Sequence, residues 1–171
     1  MRREEGKEYL YITLHTELPY QYSAGRYMSR FLTTLRDEAK ILASRCTQCG
    51  TVLVPPRVVC GNCFAEMKDF VEVGPRGTLK TFSVINFPFI DPFTGVQRPV
   101  PYGYAIVQLD GCDNWLPHFL DEIDVQKLRI GLRVEAVFKP REEREGAMTD
   151  ILHFRVIGDR SRESSPEGEV S

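Results

Sequence analysis

The chain has 171 residues, of which 42% are hydrophobic and 27% charged, an ordinary balance for a soluble globular protein with room for one average domain or two small ones. Its formal net charge of −2 does not advertise the broad basic surface that a nucleic-acid backbone requires, and no apolar run approaches the roughly 20 residues that cross a bilayer. The opening Met1-Arg2-Arg3-Glu4-Glu5-Gly6 is too polar to begin a signal peptide, so the expected compartment is the cytoplasm, where paired cysteines more often hold metal than form disulfides.

In chain order, residues 7–14 suit a short strand, followed by a polar, tyrosine-rich link. Ser23 can cap a helix. Ala24, Tyr27, Met28, Phe31, Leu32, Leu35 and Ala39 then recur at spacings of three and four, the apolar stripe of a helix of about 16 residues. That stripe can pack on the rest of this chain or dock on another subunit. Residues 1–39 therefore read as an N-terminal extension carrying an amphipathic helix.

Residues 40–76 carry Cys46-Thr47-Gln48-Cys49-Gly50 and, after Val52-Leu53-Val54 and Pro55-Pro56-Arg57, Cys60-Gly61-Asn62-Cys63. Two residues between thiolates let both sulfurs face one ion. Gly50 follows the first pair, where a positive φ is useful. Four soft thiolates in a tetrahedron select zinc or iron. Cys46, Cys49, Cys60 and Cys63 are thus the expected ligands of a structural Zn2+, with no coordination position left for a substrate. The metal substitutes for a core that so short a segment cannot build. Gly74-Pro75-Arg76-Gly77 reads as a turn and the end of this unit.

From there the pattern is β. Thr78 to Phe87 and Tyr102 to Leu109 suit two strands, and Asp110-Gly111 a tight turn. Trp115 to Leu120 suits a third strand, with Pro117 marking an edge or bulge. Cys112 is read as an ordinary strand residue. Asp121 to Leu128 suits a short helical turn. Leu132, Val134, Ala136 and Phe138 alternate with Arg133, Glu135 and Lys139, and Leu152, Phe154 and Val156 alternate in a fifth strand. The run Arg141-Glu142-Glu143-Arg144-Glu145 reads as a solvated hairpin. Three strands, a short helix and two strands is the order of an OB-fold, a five-stranded Greek-key barrel. Residues 77–158 are assigned to it, and 159–171 to a disordered polar tail. The expected fold class is mainly β: helical segment, rubredoxin-like ribbon, five-stranded barrel.

Between the first two barrel strands, residues 88–101 contain four prolines together with Phe89, Ile90, Phe93 and Arg98. A stiff apolar loop loses little entropy on binding, and this loop with the adjoining sheet is a common OB-fold ligand site. The alternative is that it folds back over the barrel end.

Phe31-Leu32, the two cysteine knuckles, Val54-Pro55-Pro56-Arg57, Gly77-Thr78-Leu79 and Ile130-Gly131-Leu132-Arg133-Val134 together resemble the zinc-ribbon/OB-fold family of acyl-CoA-associated proteins. The resemblance covers about residues 27–157. It implies a non-catalytic accessory subunit, bound in a heteromeric complex to a thiolase-like catalytic subunit that supplies the reactive cysteine and histidines. The partners of this family include thiolases, a hydroxymethylglutaryl-CoA synthase pathway assembly and steroid side-chain aldolases. The implied reaction makes or breaks a carbon–carbon bond on a β-keto or β-hydroxy acyl-CoA, such as benzoylsuccinyl-CoA thiolysis in anaerobic toluene degradation, with a coenzyme A thioester as ligand. Arg57, Phe89, Phe93, Arg98 and Tyr102 are the candidate acyl-CoA or partner contacts. Arg57 can hold a coenzyme A phosphate or pair with a carboxylate across an interface.

No catalytic residue is assigned. Thiolysis needs a nucleophilic cysteine and a base, and Cys112 and His118 stand ~20 Å apart in an extended strand. Two other classes compete: a single-stranded nucleic-acid binder, since ribbons and barrels both serve that role, and an iron-bearing electron carrier on the same thiolates.

Overall fold

The computed structural model describes Ile12 and residues 21–90 and 97–159. Most of the strand expected over 7–14, Phe93 and all of the expected tail beyond Asp159 lie outside these residues. Helix α1 spans Gly25–Glu38, two residues shorter than its stripe predicts: the Ser23 hydroxyl accepts the Gly25 N–H at 3.1 Å, and Ala39 closes the other end in the left-handed region at φ 54°. Phe31 and Leu35 are fully buried among Ile41, Ala43 and Val54, with Met28 and Leu32 packed beside them. The helix therefore spends its apolar stripe on this chain.

Three short strands follow. β1 (Ile41–Arg45) pairs antiparallel with both β2 (Val52–Leu53) and β3 (Asp69–Val73), giving the order β2-β1-β3. α1 packs on this sheet through Phe70: Tyr27 lies against it with ring centroids 5.1 Å apart, and the Arg30 guanidinium lies 4.3 Å over the same ring.

The barrel comprises β4 (Arg76–Ile85), β5 (Tyr102–Leu109), β6 (Leu116–Leu120), β7 (Leu132–Phe138) and β8 (Ile151–Asp159), closed in the order β4-β5-β6-β8-β7. β6 and β8 run parallel and meet only at Leu120 and Phe154. Pro117 accordingly sits on the loosely paired margin of β6, where no ladder N–H is needed. A single 3-10 turn, Val125–Lys127, leads towards β7. Gly103 has no room for a side chain: a Cβ there would lie 2.7 Å from the Glu122 carbonyl oxygen. This is the close backbone crossing that a tightly curved barrel demands.

Ribbon and barrel share one apolar core. A single cluster runs from Phe31 and Val54 through Leu79, Val107 and Leu116 to Ile151 and Phe154. The turn after β5 also completes the free edge of β2. Asp113 Oδ2 accepts the Val52 N–H at 2.8 Å, and the Asp113 N–H donates to the Val52 carbonyl at 2.9 Å. Asn114 serves Val54 through its side chain alone: Oδ1 accepts the Val54 N–H at 2.8 Å and Nδ2 donates to the Val54 carbonyl at 2.6 Å. An edge that would otherwise offer unpaired backbone is thereby closed.

Four sequence expectations are corrected. Cys112 lies in the turn between β5 and β6 rather than in a strand, and burial pushes its thiol up to about 12. Arg133 is buried rather than outward, because Asp110 receives its guanidinium through both nitrogens. A register shift at Val137/Phe138, which skips Leu152, places Ile151 inside and exposes Leu152. The 141–145 run is not a free hairpin: Arg141 pairs with Asp37 at 3.0 Å and Arg144 donates to the Leu35 carbonyl at 3.3 Å, so this segment grips the C-terminal end of α1.

Candidate functional site

The two cysteine knuckles are built alike. Cys46 and Cys60 each donate a backbone N–H to the residue five positions on, to Thr51 and Ala65 at 2.8 and 2.9 Å. Their carbonyls accept from Gly50 and Phe64 at 3.0 and 3.1 Å. Each turn thereby aims two thiols at one point, and the four sulfurs lie within 4.8 Å of one another. The recorded separations are 3.5 Å for Cys46–Cys63 and Cys49–Cys60 and 3.6 Å for Cys49–Cys63. Thiolates at the usual Zn–S distance of about 2.3 Å would stand about 3.8 Å apart at the corners of a tetrahedron. The donor set and its spacing fit a single zinc ion.

The thiols already differ in acidity. The Thr51 hydroxyl, then its backbone amide and the Cys60 and Cys46 thiols, draw Cys49 down to about 6. The backbone amides of Cys49 and Gln48 likewise lower Cys46. Cys63 goes the other way, to about 12: the Ala65 amide favours its thiolate, but the hydrogen bond with Cys46, burial and the other thiols outweigh it. The opposite signs express one cluster. The first proton leaves among thiol donors, and the last leaves against accumulated negative charge. A divalent cation at the centre removes that opposition.

A small core backs the metal centre, made of Met67 with Leu53 and Ala65. Ser44 is buried behind it, its hydroxyl 3.6 Å from the Met67 sulfur and accepting the Arg57 N–H at 2.8 Å. Arg57 is thus fixed by its backbone while its side chain stays exposed.

A second feature lies on the outside of the barrel. Along β5, Gly103, Ala105, Val107 and Leu109 face the core, so Tyr102, Tyr104 and Ile106 face outward. On β6, Phe119 takes the same side, opposite Tyr104 in register. Outward positions of a solvated barrel are expected to be polar, and here they are aromatic. Tyr102 and Tyr104 meet the Phe119 ring edge-on, with centroids 6.0 and 5.7 Å away. The Arg98 guanidinium covers Phe119 at 3.6 Å, a close cation–π stack. Phe87, Phe89 and Ile90 are exposed on the adjoining loop, which Ile90 and Gln97 close by a bridge.

Arg98 and Tyr102 therefore converge on one ring, Phe89 lies exposed on the neighbouring loop, and Arg57 belongs to the ribbon. Sequence reasoning missed Tyr104 and Phe119. Their signal was present as aromatic residues at period-two positions out of phase with the core residues. His118 is buried beneath this face. Its Nδ1 accepts the Phe119 N–H at 2.8 Å, so Nε2 carries the proton and donates to the Met148 carbonyl at 3.1 Å. Burial, with Arg98 and His153 nearby, pushes its pKa down and keeps the ring neutral. Both ring nitrogens are thus committed to the backbone.

Comparisons with known proteins agree with this geometry. Residues 34–68 match the family model of the ChsH2 rubredoxin-like zinc ribbon domain, and residues 70–139 that of the ChsH2 C-terminal OB-fold domain. A DUF35 domain-containing scaffold protein of Methanothermobacter thermautotrophicus is 36% identical over 107 residues, covering 61% of this chain and 77% of that protein. One from Methanocaldococcus jannaschii is 26% identical over 126 residues, covering 72% and 86%. Among solved structures, a chain of the Ltp2-ChsH2(DUF35) aldolase superposes with a TM-score of 0.58 at 23% identity, covering 80% of this chain and 98% of that one. A DUF35 family protein of unknown function from Sulfolobus solfataricus gives 0.52 at 20% identity, covering 76% and 83%. At these identities the structural likeness speaks to the fold alone. The paired zinc-ribbon and OB-fold domains and the identity to the archaeal scaffold proteins together show that this chain belongs to the DUF35 scaffold-protein family.

Proposed function

We propose that this chain is the non-catalytic accessory subunit of a thiolase-like acyl-CoA complex, stabilising the catalytic subunit and shaping its acyl-CoA site. The reaction is carbon–carbon cleavage or formation on a β-keto or β-hydroxy acyl-CoA, and thiolysis of benzoylsuccinyl-CoA is the member of that class to which the sequence resemblance points. A structural zinc on Cys46, Cys49, Cys60 and Cys63 holds the ribbon. Arg57, Phe89, Phe93, Arg98 and Tyr102, with Tyr104 and Phe119, are the proposed contacts with the partner or its thioester.

The observation that carries this reading is the outward aromatic face of β5 and β6 under Arg98. A rigid apolar surface with one stacked cation suits a protein interface or the base of a nucleotide-bearing ligand. Support also comes from what the relatives are called: the archaeal proteins are scaffold proteins by name, and the ChsH2 neighbour stands beside Ltp2 in an aldolase. Co-expression with a thiolase-type protein is expected to give a heteromeric complex that survives size-exclusion chromatography. A chain that elutes alone beside that protein contradicts the proposal.

The same stacked face suits single-stranded nucleic acid, which is the second reading. A net charge of −2 leaves little for a phosphate track. Salt-sensitive retention of single-stranded RNA or DNA on a filter would move the assignment there.

A further inference from the structure

Phe64 holds a backbone position that favours glycine. It follows Cys63 as Gly50 follows Cys49. Both residues close their knuckle by donating an N–H to its first cysteine, and both lie in the left-handed region, Gly50 at φ 76° and Phe64 at φ 60°. Gly50 adopts this without penalty, whereas the Cβ of Phe64 crowds the backbone there. The ring returns nothing to the fold: it is 80% exposed and stands outside the small core behind the metal.

Val58 and Val59 are half-exposed on the same hairpin, which is tied by the Val59–Glu66 bridge and by the Met67 N–H donating to the Val58 carbonyl at 2.8 Å. Arg57 adjoins them, and among the described residues its guanidinium makes no ion pair or hydrogen bond. Lys68 and Glu66 on the other arm pair at 3.2 Å and cancel. The hairpin thus presents a strained exposed aromatic, two valines and one uncompensated positive charge, held rigid by Cys60 and Cys63.

We infer that this hairpin is a docking anchor, with Phe64 entering an apolar pocket on a partner protein that carries a carboxylate at the rim for Arg57. The charge fixes the partner's chemistry: a single cation beside three apolar side chains complements an acidic-rimmed apolar pocket and is too little for a phosphate backbone. Aromatic and arginine side chains dominate interface energetics, and a metal-pinned turn loses little freedom on binding. The inference rests on the accessory-subunit reading, which makes the partner the catalytic subunit.

Phe64→Asn removes the ring and suits the left-handed backbone. In the full chain it is expected to keep its zinc and melt at or above the wild-type temperature, while its dissociation constant for the co-expressed thiolase-type subunit rises at least about tenfold. Arg57→Glu is expected to weaken the complex as well and to blunt the loss of affinity that added salt causes in the wild type. A Phe64→Asn protein that binds the partner as the wild type does, or that melts well below it, overturns the anchor and leaves the accessory role standing. A wild-type chain that forms no complex removes both.

Discussion

At the scale of single residues, charge and burial are reconciled by backbone groups. Asp150 is buried, which alone would raise its pKa, yet the N–H groups of Glu145, Gly146 and Ala147 more than offset that and hold its carboxyl below the usual range. His118 is the opposite case. Its folded pKa lies below the ordinary 6.5, so the unfolded chain binds a proton that the native chain does not. Its contribution is complete above that ordinary value and is lost as pH falls through it. The thermal midpoint is therefore expected to fall between about pH 6.5 and pH 5, before the carboxylates titrate. A His118→Gln protein, less stable throughout, is expected to show a flatter profile over the same interval. An equal slope in both proteins would remove His118 as the cause.

At the scale of elements, what could be read from the sequence divides by the range of the interaction that decides it. The knuckles, the helical stripe and the alternation of β5 and β7 are local, so residue types and spacing suffice. β1 and β3 went unassigned because each is five residues long and is fixed by pairing with a strand outside its own segment, β1 with β2 and β3, and β3 with β1. The inward turn of Arg133 depends on Asp110, which is distant in sequence. The exposure of Leu152 depends on a register shift against β7. The grip of Arg141 and Arg144 on α1 spans over a hundred residues, 104 and 109 respectively, and no local pattern announces it. The same holds for the site. The four cysteines were legible by spacing, whereas Phe119 joined Arg98 and Tyr102 only once the strands were in register. The ribbon's dependence on metal is also an element-scale claim. Cys60→Ser removes a fully buried ligand. Zinc affinity is expected to fall by more than about 100-fold, beyond the usual cost of losing an outer-shell partner. Amide protection of β1–β3 should then be lost while β5 and β7 keep theirs. Wild-type protection across β1–β3 in a zinc-free Cys60→Ser protein would contradict the metal's structural role.

At the scale of the whole molecule, the turn carrying Asp113 and Asn114 stitches ribbon to barrel, and one apolar core passes beneath that seam. Two features face outward from this joined body, the aromatic face of the barrel and the Phe64 hairpin of the ribbon. Among the described residues no helix is long and apolar enough to cross a membrane. Both ring nitrogens of His118 are occupied by backbone, and Cys112 is a buried thiol held protonated. The proposed supporting role asks no chemistry of either group. The most direct measurement is acyl-CoA turnover by three zinc-assayed samples: this chain alone, the thiolase-type subunit alone, and the two reconstituted. The account predicts no turnover by this chain, and a complex whose activity exceeds that of the isolated catalytic subunit and falls when zinc is stripped. Thioester turnover by this chain unaided would contradict it.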